Sequence, residues 1–423
     1  MENDSTARAI DAVWRIESAK LIASLTRMVR DVGLAEDLAQ DALVSAMEQW
    51  PQSGVPVKPG AWLMAVAKRR AIDYFRRSKR LDEKQELLVR DLEEIQEESD
   101  PAAAFPPDED VGDDLLGLMF IACHPVLSTD SRVALTLRLL GGLSTEEIAR
   151  AFLTPAPTIA QRIVRAKRTL AEANVPFELP PPAELSKRLG SVLEVIYLIF
   201  NEGYSATAGD DWMRPSLCAE ALRLGRILAE LLPEEPEVHG LVGLMEIQAS
   251  RTRARTGPQG EPILLLDQNR ARWDRLLIGR GLAALSRAES LGGADGFYAL
   301  QAAIVACHAR ARTADETDWG RIVSLYDALM RVYPSPVVEL NRAVAVSMAR
   351  SPEAGLAIVD GIVASGALAQ YHLLSSVRGD FLVKLGRNEE AVFEFEHAAS
   401  MTQNAREREM MLNRADDARR PPS

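Results

Sequence analysis

The stretch STEEIARAFLTPAPTIAQRIVRAKRTL, residues 144–170, predicts two helices joined by a short turn. Ser144 and Glu147 have the spacing of a capping box, in which each side chain accepts a hydrogen bond from the other residue's backbone N–H at a helix start. Thr154 is expected to cap the second helix. Pro155 suits its first position, because the N–H that proline lacks would have been unpaired there. The stretch therefore predicts a helix-turn-helix.

The second of these helices has two distinct faces. Its apolar residues recur at helical spacing and predict a buried face of Ile159, Ile163, Ala166 and Leu170. Its polar face carries groups that bind base edges and phosphates in a major groove, namely Thr158, Gln161, Arg162 and Arg165. Lys167 and Arg168 suit phosphates near the helix end. The pattern favours DNA binding, although a solvated arginine-rich helix in a bundle has the same composition.

The composition predicts an all-α protein of more than one domain. A chain of 423 residues exceeds what one hydrophobic core usually organises. Apolar residues make up 47% and aromatic residues 5%, and Ala, Leu, Arg and Glu, which are abundant, favour helices. No apolar stretch is long enough for a membrane helix, and the segment MENDSTARAI lacks the order of a signal peptide. A cytoplasmic location is expected.

The net charge of −12 is spread unevenly along the chain. Residues 62–80 carry seven basic residues against Asp73 alone, whereas residues 82–114 carry fourteen acidic residues against two basic ones. Two basic modules therefore flank an acidic spacer. Cys123, Cys218 and Cys307 are isolated thiols without metal-ligand spacing, so buried roles are expected and no metal or cofactor is predicted.

Breaks in the helical pattern divide the chain into four segments. These are a helical unit at 1–80, an acidic linker at 81–112, the helix-turn-helix unit at 113–175 and a helical extension at 176–423. Within the first unit, Gly33 is expected to end the first helix.

The end of the extension repeats with an offset of 36 residues, which aligns Ala343 with Gly379. Each unit has one helix, a short turn and a second helix, with small and large residues alternating as in tetratricopeptide repeats. The extension is therefore expected to form one stacked helical array.

Two motifs before the helix-turn-helix indicate a family. AEDLAQDALVSAMEQW (35–50) and KPGAWLMAVAKRRAIDYFRRSKR (58–80) resemble the second conserved region of bacterial RNA polymerase sigma factors of the extracytoplasmic-function (ECF) type. The helix-turn-helix unit resembles their fourth region. YLIFNEGYSATAGDDW (197–212) and SPVVELNRAVAV (335–346) resemble the subgroup with a tetratricopeptide-like extension. The resemblance implies a transcription initiation factor that binds core polymerase and promoter DNA, and no enzyme.

The resemblance also implies roles for individual residues. The acidic side of the second helix is expected to bind the β′ clamp helices of polymerase through Glu36, Asp37, Gln40, Asp41 and Glu48. An ordinary solvated acidic face is the alternative for that side. The third helix is expected to bind the melted minus-ten element through Lys68, Arg69, Arg70, Asp73, Tyr74, Arg76, Arg77, Lys79 and Arg80. Trp62, a second aromatic candidate, is more typical of the core.

The fourth-region unit is expected to read the minus-thirty-five element. Its residues are Thr158, Gln161, Arg162, Arg165, Lys167 and Arg168. Many family members have a basic residue in place of Ala160 and a glycine in place of Pro157, so the base preference of relatives does not transfer to this chain.

The loop after residue 200 has three interpretations. Its residues of interest are Asn201, Glu202, Gly203, Tyr204, Asp210 and Asp211. An enzyme would use the carboxylates as a metal or acid–base site, but no histidine spacing accompanies them. A tight loop would use Asp210 or Asp211 to cap the next helix. A third interpretation is a contact between the extension and the sigma modules, through which the extension regulates or supports activity.

Three classes of protein thus compete. The leading one is a sigma factor that works with core polymerase and promoter DNA. The alternatives are a free-standing helix-turn-helix regulator with a partner-sensing repeat domain, and an enzyme located in the extension.

Overall fold

The computed structural model describes residues 2–77, 108–258 and 260–420. Nearly all regular structure in these ranges is helical, in agreement with the predicted all-α class. The helices of the first part are α1 (Glu2–Val29), α2 (Val32–Ser53), α3 (Pro59–Arg77), α4 (Asp108–Ala122), α5 (Thr129–Leu139), α6 (Thr145–Ala151), α7 (Ala156–Glu172) and α8 (Pro182–Tyr204).

The second part continues with helices and two short strands. The elements are β1 (Ala208–Gly209), α9 (Pro215–Leu231), α10 (Pro236–Ala249), α11 (Arg275–Ser290), α12 (Phe297–Arg310), α13 (Trp319–Val332), α14 (Pro336–Ala349), α15 (Pro352–Ala364), α16 (His372–Lys384), α17 (Asn388–Met401), β2 (Gln403–Asn404) and α18 (Ala405–Arg419). The chain forms two compact units, Met1–Ile196 and Tyr197–Ser423.

In the first unit, α1 packs against α2, α3 and α4. Its apolar stripe includes Leu21, Ile22 and Leu25, all of which are buried. The first helix does not end at Gly33 as predicted. It ends at Val29, Arg30 adopts a left-handed φ of 54°, and the Asp31 carboxylate accepts hydrogen bonds from the amides that begin α2. A side-chain cap therefore sets this boundary instead of the glycine.

The helix-turn-helix is present as α6 and α7. Ser144 and Glu147 form both hydrogen bonds of the predicted capping box. The predicted buried face of α7 is also confirmed, since Ile159, Ile163, Ala166 and Leu170 are all buried. The predicted Thr154 cap is wrong. Its hydroxyl donates to the carbonyl of Phe152 at 3.1 Å, and Pro155 occupies the cap position of α7 without a side-chain hydrogen bond.

The segment predicted as an acidic linker is only partly described. Residues 78–107 lie outside the described ranges, whereas α4 begins at Asp108, inside the predicted linker. The side chain of Asp114 in α4 is buried and forms an ion pair with Arg27 of α1 at 3.2 Å. The end of the acidic stretch thus contributes to the core of the first unit.

In the second unit, consecutive helices pack in pairs. Helices α14 and α16, each the first helix of a pair, begin at Pro336 and His372, which are 36 residues apart as predicted from the sequence. A Cβ atom on Gly379 would lie 2.7 Å from the Phe395 ring. The small residue in α16 therefore permits the close approach of α17.

A two-stranded clasp joins distant parts of the second unit. Strands β1 and β2 pair in parallel, with Ala208 opposite Gln403. The fully buried Asn404 carboxamide donates to the carbonyls of Ala206 and Asp211, each at 3.0 Å. Its Oδ1 atom accepts from two amides at the start of α18. One side chain therefore caps a helix and holds the loop that follows α8.

Two further expectations concern the cysteines and the membrane. Cys123, Cys218 and Cys307 are free and buried, as predicted. Burial raises the pKa of the Cys123 thiol to about 11. Across the described ranges, none of the helices combines the length and apolar character needed to cross a bilayer.

Replacing Asn404 by Ala is expected to loosen the clasp. The change removes a helix cap, which costs about 1 kcal/mol, and leaves two buried carbonyls without donors. Native-state amide hydrogen exchange of the full chain should show reduced protection in the loop at 204–212 and the first turn of α18. Asn413→Ala, at an exposed position of the same helix, should change protection by less than about 0.5 kcal/mol. Equal losses in both variants would contradict a role for the clasp.

Candidate polymerase and promoter interface

The predicted DNA-binding face of α7 is partly open and partly paired. Gln161, Arg165 and Arg168 are exposed, and Thr158 is half-buried. Arg162 pairs with Asp130 of α5 at 3.0 Å. The exposed residues share the side of α7 opposite its buried stripe, which is the geometry that the sequence predicts for a recognition helix.

Glu36 of α2 is the centre of a buried ion-pair cluster. Its carboxylate lies 2.6 Å from Nε of Arg138 in α5 and 2.6 Å from Nζ of Lys167 in α7. Gln40 donates to the same carboxylate at 2.5 Å. Glu36 is only 2% exposed. A residue predicted to face polymerase thus binds a lysine predicted to face DNA.

The charge state of Glu36 follows from these contacts. Burial alone raises the pKa of this carboxyl, but the positive charges and hydrogen bonds of Lys167 and Arg138 outweigh it, and the pKa lies below its usual value. The carboxylate is therefore ionised near neutral pH. Because its low-dielectric surroundings strengthen charge interactions, the cluster ties α2 firmly to the helix-turn-helix.

Further ion pairs join the same two modules. Arg15 of α1 contacts Glu147 of α6 at 3.0 Å, and Arg27 of α1 contacts Asp114 of α4. A cavity of about 680 Å³ lies beside Lys167, with Arg30 and Phe177 among its lining residues. The second-region and fourth-region modules therefore pack together in a closed arrangement within the first unit.

The exposed side of α2 carries acidic and apolar side chains. Asp37, Asp41 and Glu48 are exposed, as the sequence predicts for a polymerase-binding face. Val44 and Met47 lie among them and are 49% and 59% exposed. Neither residue is predicted from the sequence to lie on a binding face, because helical periodicity assigns isolated apolar residues to the core. Exposed apolar residues among charges are typical of binding faces when they form a patch.

Helix α3 presents part of the predicted minus-ten surface. Arg69, Asp73, Tyr74 and Arg76 are exposed, and Tyr74 is 51% exposed. Tyr74 packs edge-on against Phe75 at 5.6 Å, which leaves its outer face open.

The other predicted minus-ten residues differ in their surroundings. Arg70 contacts Asp41 at 3.2 Å and Ser45 at 2.8 Å, so it joins α3 to the acidic face. Burial, followed by the charge of Arg27, lowers the pKa of the half-buried Lys68. Trp62 packs against Trp50 at 5.3 Å, a contact typical of the core. The Arg77 backbone belongs to α3, whereas Lys79 and Arg80 lie outside the described ranges.

The loop after α8 is held by contacts within the second unit. Glu202 forms an ion pair with Arg214, and the hydroxyl of Tyr204 accepts a hydrogen bond from Arg251 at 2.5 Å. Asn201 is half-buried. A Cβ atom on Gly203 would lie 2.6 Å from the backbone nitrogen of Cys218, so this position requires glycine for close packing.

The predicted helix cap in this loop is wrong. Arg214 occupies the cap position of α9 without a side-chain hydrogen bond, so neither Asp210 nor Asp211 caps that helix. The backbone carbonyl of Asp211 accepts from Asn404 instead. A contact between this loop and the sigma modules stays a prediction. In the described ranges, no group of three or more His, Cys, Asp or Glu side chains has the geometry of a metal site.

Three families match successive parts of the chain. Residues 16–81 match sigma-70 region 2, residues 118–170 match sigma-70 region 4, and residues 188–289 match a family of unknown function, DUF6596. The first two matches cover α3 and the helix-turn-helix, and the third covers the loop after α8. No solved structure matches the chain significantly.

Relatives are similar over the whole chain or over its first part. An uncharacterized protein of Rhizobium meliloti is 42% identical over 91% of this chain and 90% of its own length. A probable ECF RNA polymerase sigma factor of Mycobacterium tuberculosis is 29% identical over 41% of this chain and 58% of its own length. The RNA polymerase sigma-H factor of Pseudomonas aeruginosa is 26% identical over 40% of this chain and 88% of its own length.

The two sigma regions occur in order along a helical chain. The chain belongs to the ECF-type RNA polymerase sigma factors and carries a large helical extension. Its function is that of a sigma factor, and the free-standing regulator is not favoured. Sigma factors are not enzymes, which leaves the catalytic interpretation of the extension without support from the comparisons.

Replacing Glu36 by Gln is expected to lower the free energy of unfolding of the first unit. The change leaves Arg138 and Lys167, which are 22% and 20% exposed, without their shared carboxylate. Loss of one partner from a buried ion pair costs about 3–5 kcal/mol. Amide hydrogen exchange of the full chain, read on peptides from α2, α5 and α7, measures the loss.

The matched control is Glu48→Gln, which removes the same charge from an exposed position of α2 and should cost less than about 0.5 kcal/mol. The pH dependence gives a second test. Because folding lowers the pKa of Glu36, its stabilisation is complete above the unfolded pKa of about 4.3 and disappears as pH falls through the lowered folded value. A difference between wild type and Glu36→Gln that persists undiminished under strong acid would contradict the ion-pair account.

Proposed function

We propose that this sigma factor docks on core polymerase through the exposed side of α2, with the β′ clamp helices as its partner. The proposal is supported by the three exposed carboxylates of Asp37, Asp41 and Glu48, which complement a basic surface. Val44 and Met47 add exposed apolar area to the same helix. Charge would steer the encounter, and the apolar contacts would stabilise the complex.

The promoter contacts divide between two helices. Helix α3 binds the melted minus-ten strand, with Tyr74 as a stacking surface and Arg69 and Arg76 as phosphate contacts. Helix α7 reads the minus-thirty-five element in the major groove, where Gln161 and Arg165 are the residues best exposed for base edges. Arg162 can also contact the DNA once its ion pair with Asp130 of α5 breaks.

The free factor is closed and must open when it binds polymerase. The Glu36–Lys167 ion pair supports this proposal. It joins Glu36 of α2, the polymerase-facing helix, to Lys167 of α7, the recognition helix, so neither side chain is available to an external partner while the pair is formed. A clamp-helix arginine or lysine that replaces Lys167 on Glu36 would release α7 for DNA. Polymerase binding and promoter recognition would then be coupled through one carboxylate.

Reconstitution with core polymerase tests the function directly. The full chain, core enzyme and a genomic fragment library should together yield transcripts with defined start sites that core enzyme alone does not produce. If no promoter-dependent transcript appears from any fragment, the sigma assignment fails for this chain.

Glu36→Gln is expected to strengthen DNA binding by the isolated factor. Freeing Lys167 adds one phosphate contact, so the plot of log affinity against log salt should steepen by about 0.9 for duplex promoter DNA. Glu48→Gln removes the same charge without releasing Lys167 and should leave the slope unchanged. Fluorescence anisotropy at several salt concentrations measures both variants. An identical slope for wild type and Glu36→Gln would show that Lys167 is not withheld from DNA.

Tyr74→Ala is expected to impair strand opening more than polymerase binding. Stacking of a base on an aromatic side chain contributes about 1–3 kcal/mol, so the open complex should become roughly 5- to 150-fold less stable. Tyr74→Phe keeps the ring and should retain most of the opening. Permanganate reactivity of unpaired thymines reports the opening, and gel filtration with core enzyme reports the binding. If Tyr74→Ala opens promoter DNA as well as Tyr74→Phe does, Tyr74 is a surface residue that does not stack on a base.

We further propose that the extension supports or regulates the sigma modules by contact within the chain, through the loop from Asn201 to Asp211. The Asn404→Ala variant, which loosens this loop, should change transcript yield in the reconstituted system relative to Asn413→Ala. Unchanged yield would leave the loop with a role inside the extension only. A cytoplasmic location, where polymerase and promoters lie, completes the proposal and is checked by cell fractionation.

A further inference from the structure

The extension buries three arginine side chains that lack a carboxylate within ion-pair distance among the described residues. The charge of Glu316 acts on one of them, Arg270, from farther away. Arg251, Arg255 and Arg270 are 8%, 5% and 6% exposed. Among the described residues, none of the three forms an ion pair with Asp or Glu. A buried charge without a counter-charge is strongly destabilising, because the protein interior solvates it poorly. This surplus of positive charge requires a physical explanation.

Aromatic rings hold two of these arginines in place. The Arg255 guanidinium lies between two rings, 3.4 Å from the centre of Tyr204 and 4.4 Å from the centre of Trp212. Arg251 lies 5.7 Å from the centre of the same Tyr204 ring and donates to its hydroxyl. Cation–π contacts offset part of the desolvation cost, but a ring carries no net charge. Two guanidinium groups therefore share one tyrosine and repel each other.

The third arginine extends the group toward α12. Arg270 donates to the carbonyl of His308 at 2.6 Å and to the hydroxyl of Thr317 at 3.1 Å. Its guanidinium lies 5.0 Å from the Trp273 ring, and Arg251 lies 5.8 Å from the same ring. Rings and cations thus form one continuous cluster from Trp212 to His308.

Several buried polar atoms in this cluster have no hydrogen-bond partner in the part of the chain that the structure describes. They are Nη1 of Arg255, Nε of Arg251, Nε1 of Trp273 and Nδ1 of His308. Each unsatisfied buried donor costs about 1–3 kcal/mol, so several in one cluster indicate a missing acceptor. Burial, with the charges of Arg251 and Arg270, lowers the pKa of His308 to about 3. Its imidazole is therefore neutral near pH 7 and adds no charge.

We infer that this cluster is a binding site for a small inorganic anion, held by the unpartnered N–H groups of Arg251 and Arg255. An anion would supply both the missing acceptor and the missing negative charge, whereas a water molecule would supply only the acceptor. Because both side chains are buried, the occupant is a small free anion and not an anionic group of a macromolecule. Arg251 and Arg255 lie within the residues that match DUF6596.

Anion titration of the full chain tests the site. In a gluconate buffer of constant ionic strength, phosphate and chloride are titrated separately while tryptophan fluorescence is followed, since Trp212 and Trp273 flank the arginines. Wild type should show a saturable change with at least one of the two anions. Arg255→Gln should raise the half-saturation concentration at least tenfold. Arg253→Gln, at the exposed position between Arg251 and Arg255, should behave as wild type.

Diffraction keeps the inference testable if Arg255→Gln does not fold. Wild-type crystals are soaked in the heavy analogue of the anion that gives the response, bromide for chloride or arsenate for phosphate, and should show an anomalous peak beside the Arg251 or Arg255 guanidinium. The inference would be overturned by an absent peak or by the lack of a saturable response in wild type. An equal response in wild type and Arg255→Gln would mean an adventitious ion only and would overturn it as well. None of these readouts involves transcription, so their failure leaves the sigma function untouched.

Discussion

The Glu36 carboxylate holds the first unit of this sigma factor together. It lies between a guanidinium of α5 and an ammonium of α7, and because the carboxylate is buried, loss of either cation would leave its charge poorly solvated. The cluster links α2 of the second-region module to α5 and α7 of the fourth-region module. The sequence predicts that Glu36 binds polymerase, whereas in the structure two cations of the same chain neutralise its charge.

Local sequence signals predicted much of the fold. The buried stripe of α7 and the capping box at Ser144 depend on residues within one or two helical turns, and both are present. The Thr154 prediction was wrong although it used the same kind of signal, because its hydroxyl has a nearby carbonyl acceptor in the turn. A residue that prefers caps also competes for other backbone groups, and tertiary geometry decides between them.

Long-range partners account for what the sequence did not predict. Glu36 and Arg138 are 102 residues apart, and no periodicity relates them. The run of acids in α2 correctly indicated a charged face, but it did not separate the buried Glu36 from its exposed neighbour Asp37. Likewise, Arg251 and Arg255 resemble ordinary surface arginines in sequence. Their burial follows from rings that arrive from distant parts of the extension.

The clasp between β1 and β2 also sets an order of events during synthesis. Ala208 pairs with Gln403, so about 195 residues must be translated after β1 before its partner strand exists. At about 5–20 residues per second, this interval is on the order of 10–40 s. For most of this interval the sigma modules have left the ribosome, while the second unit is still incomplete. The nascent chain therefore passes through a stage in which its promoter-binding modules are complete and its extension is not.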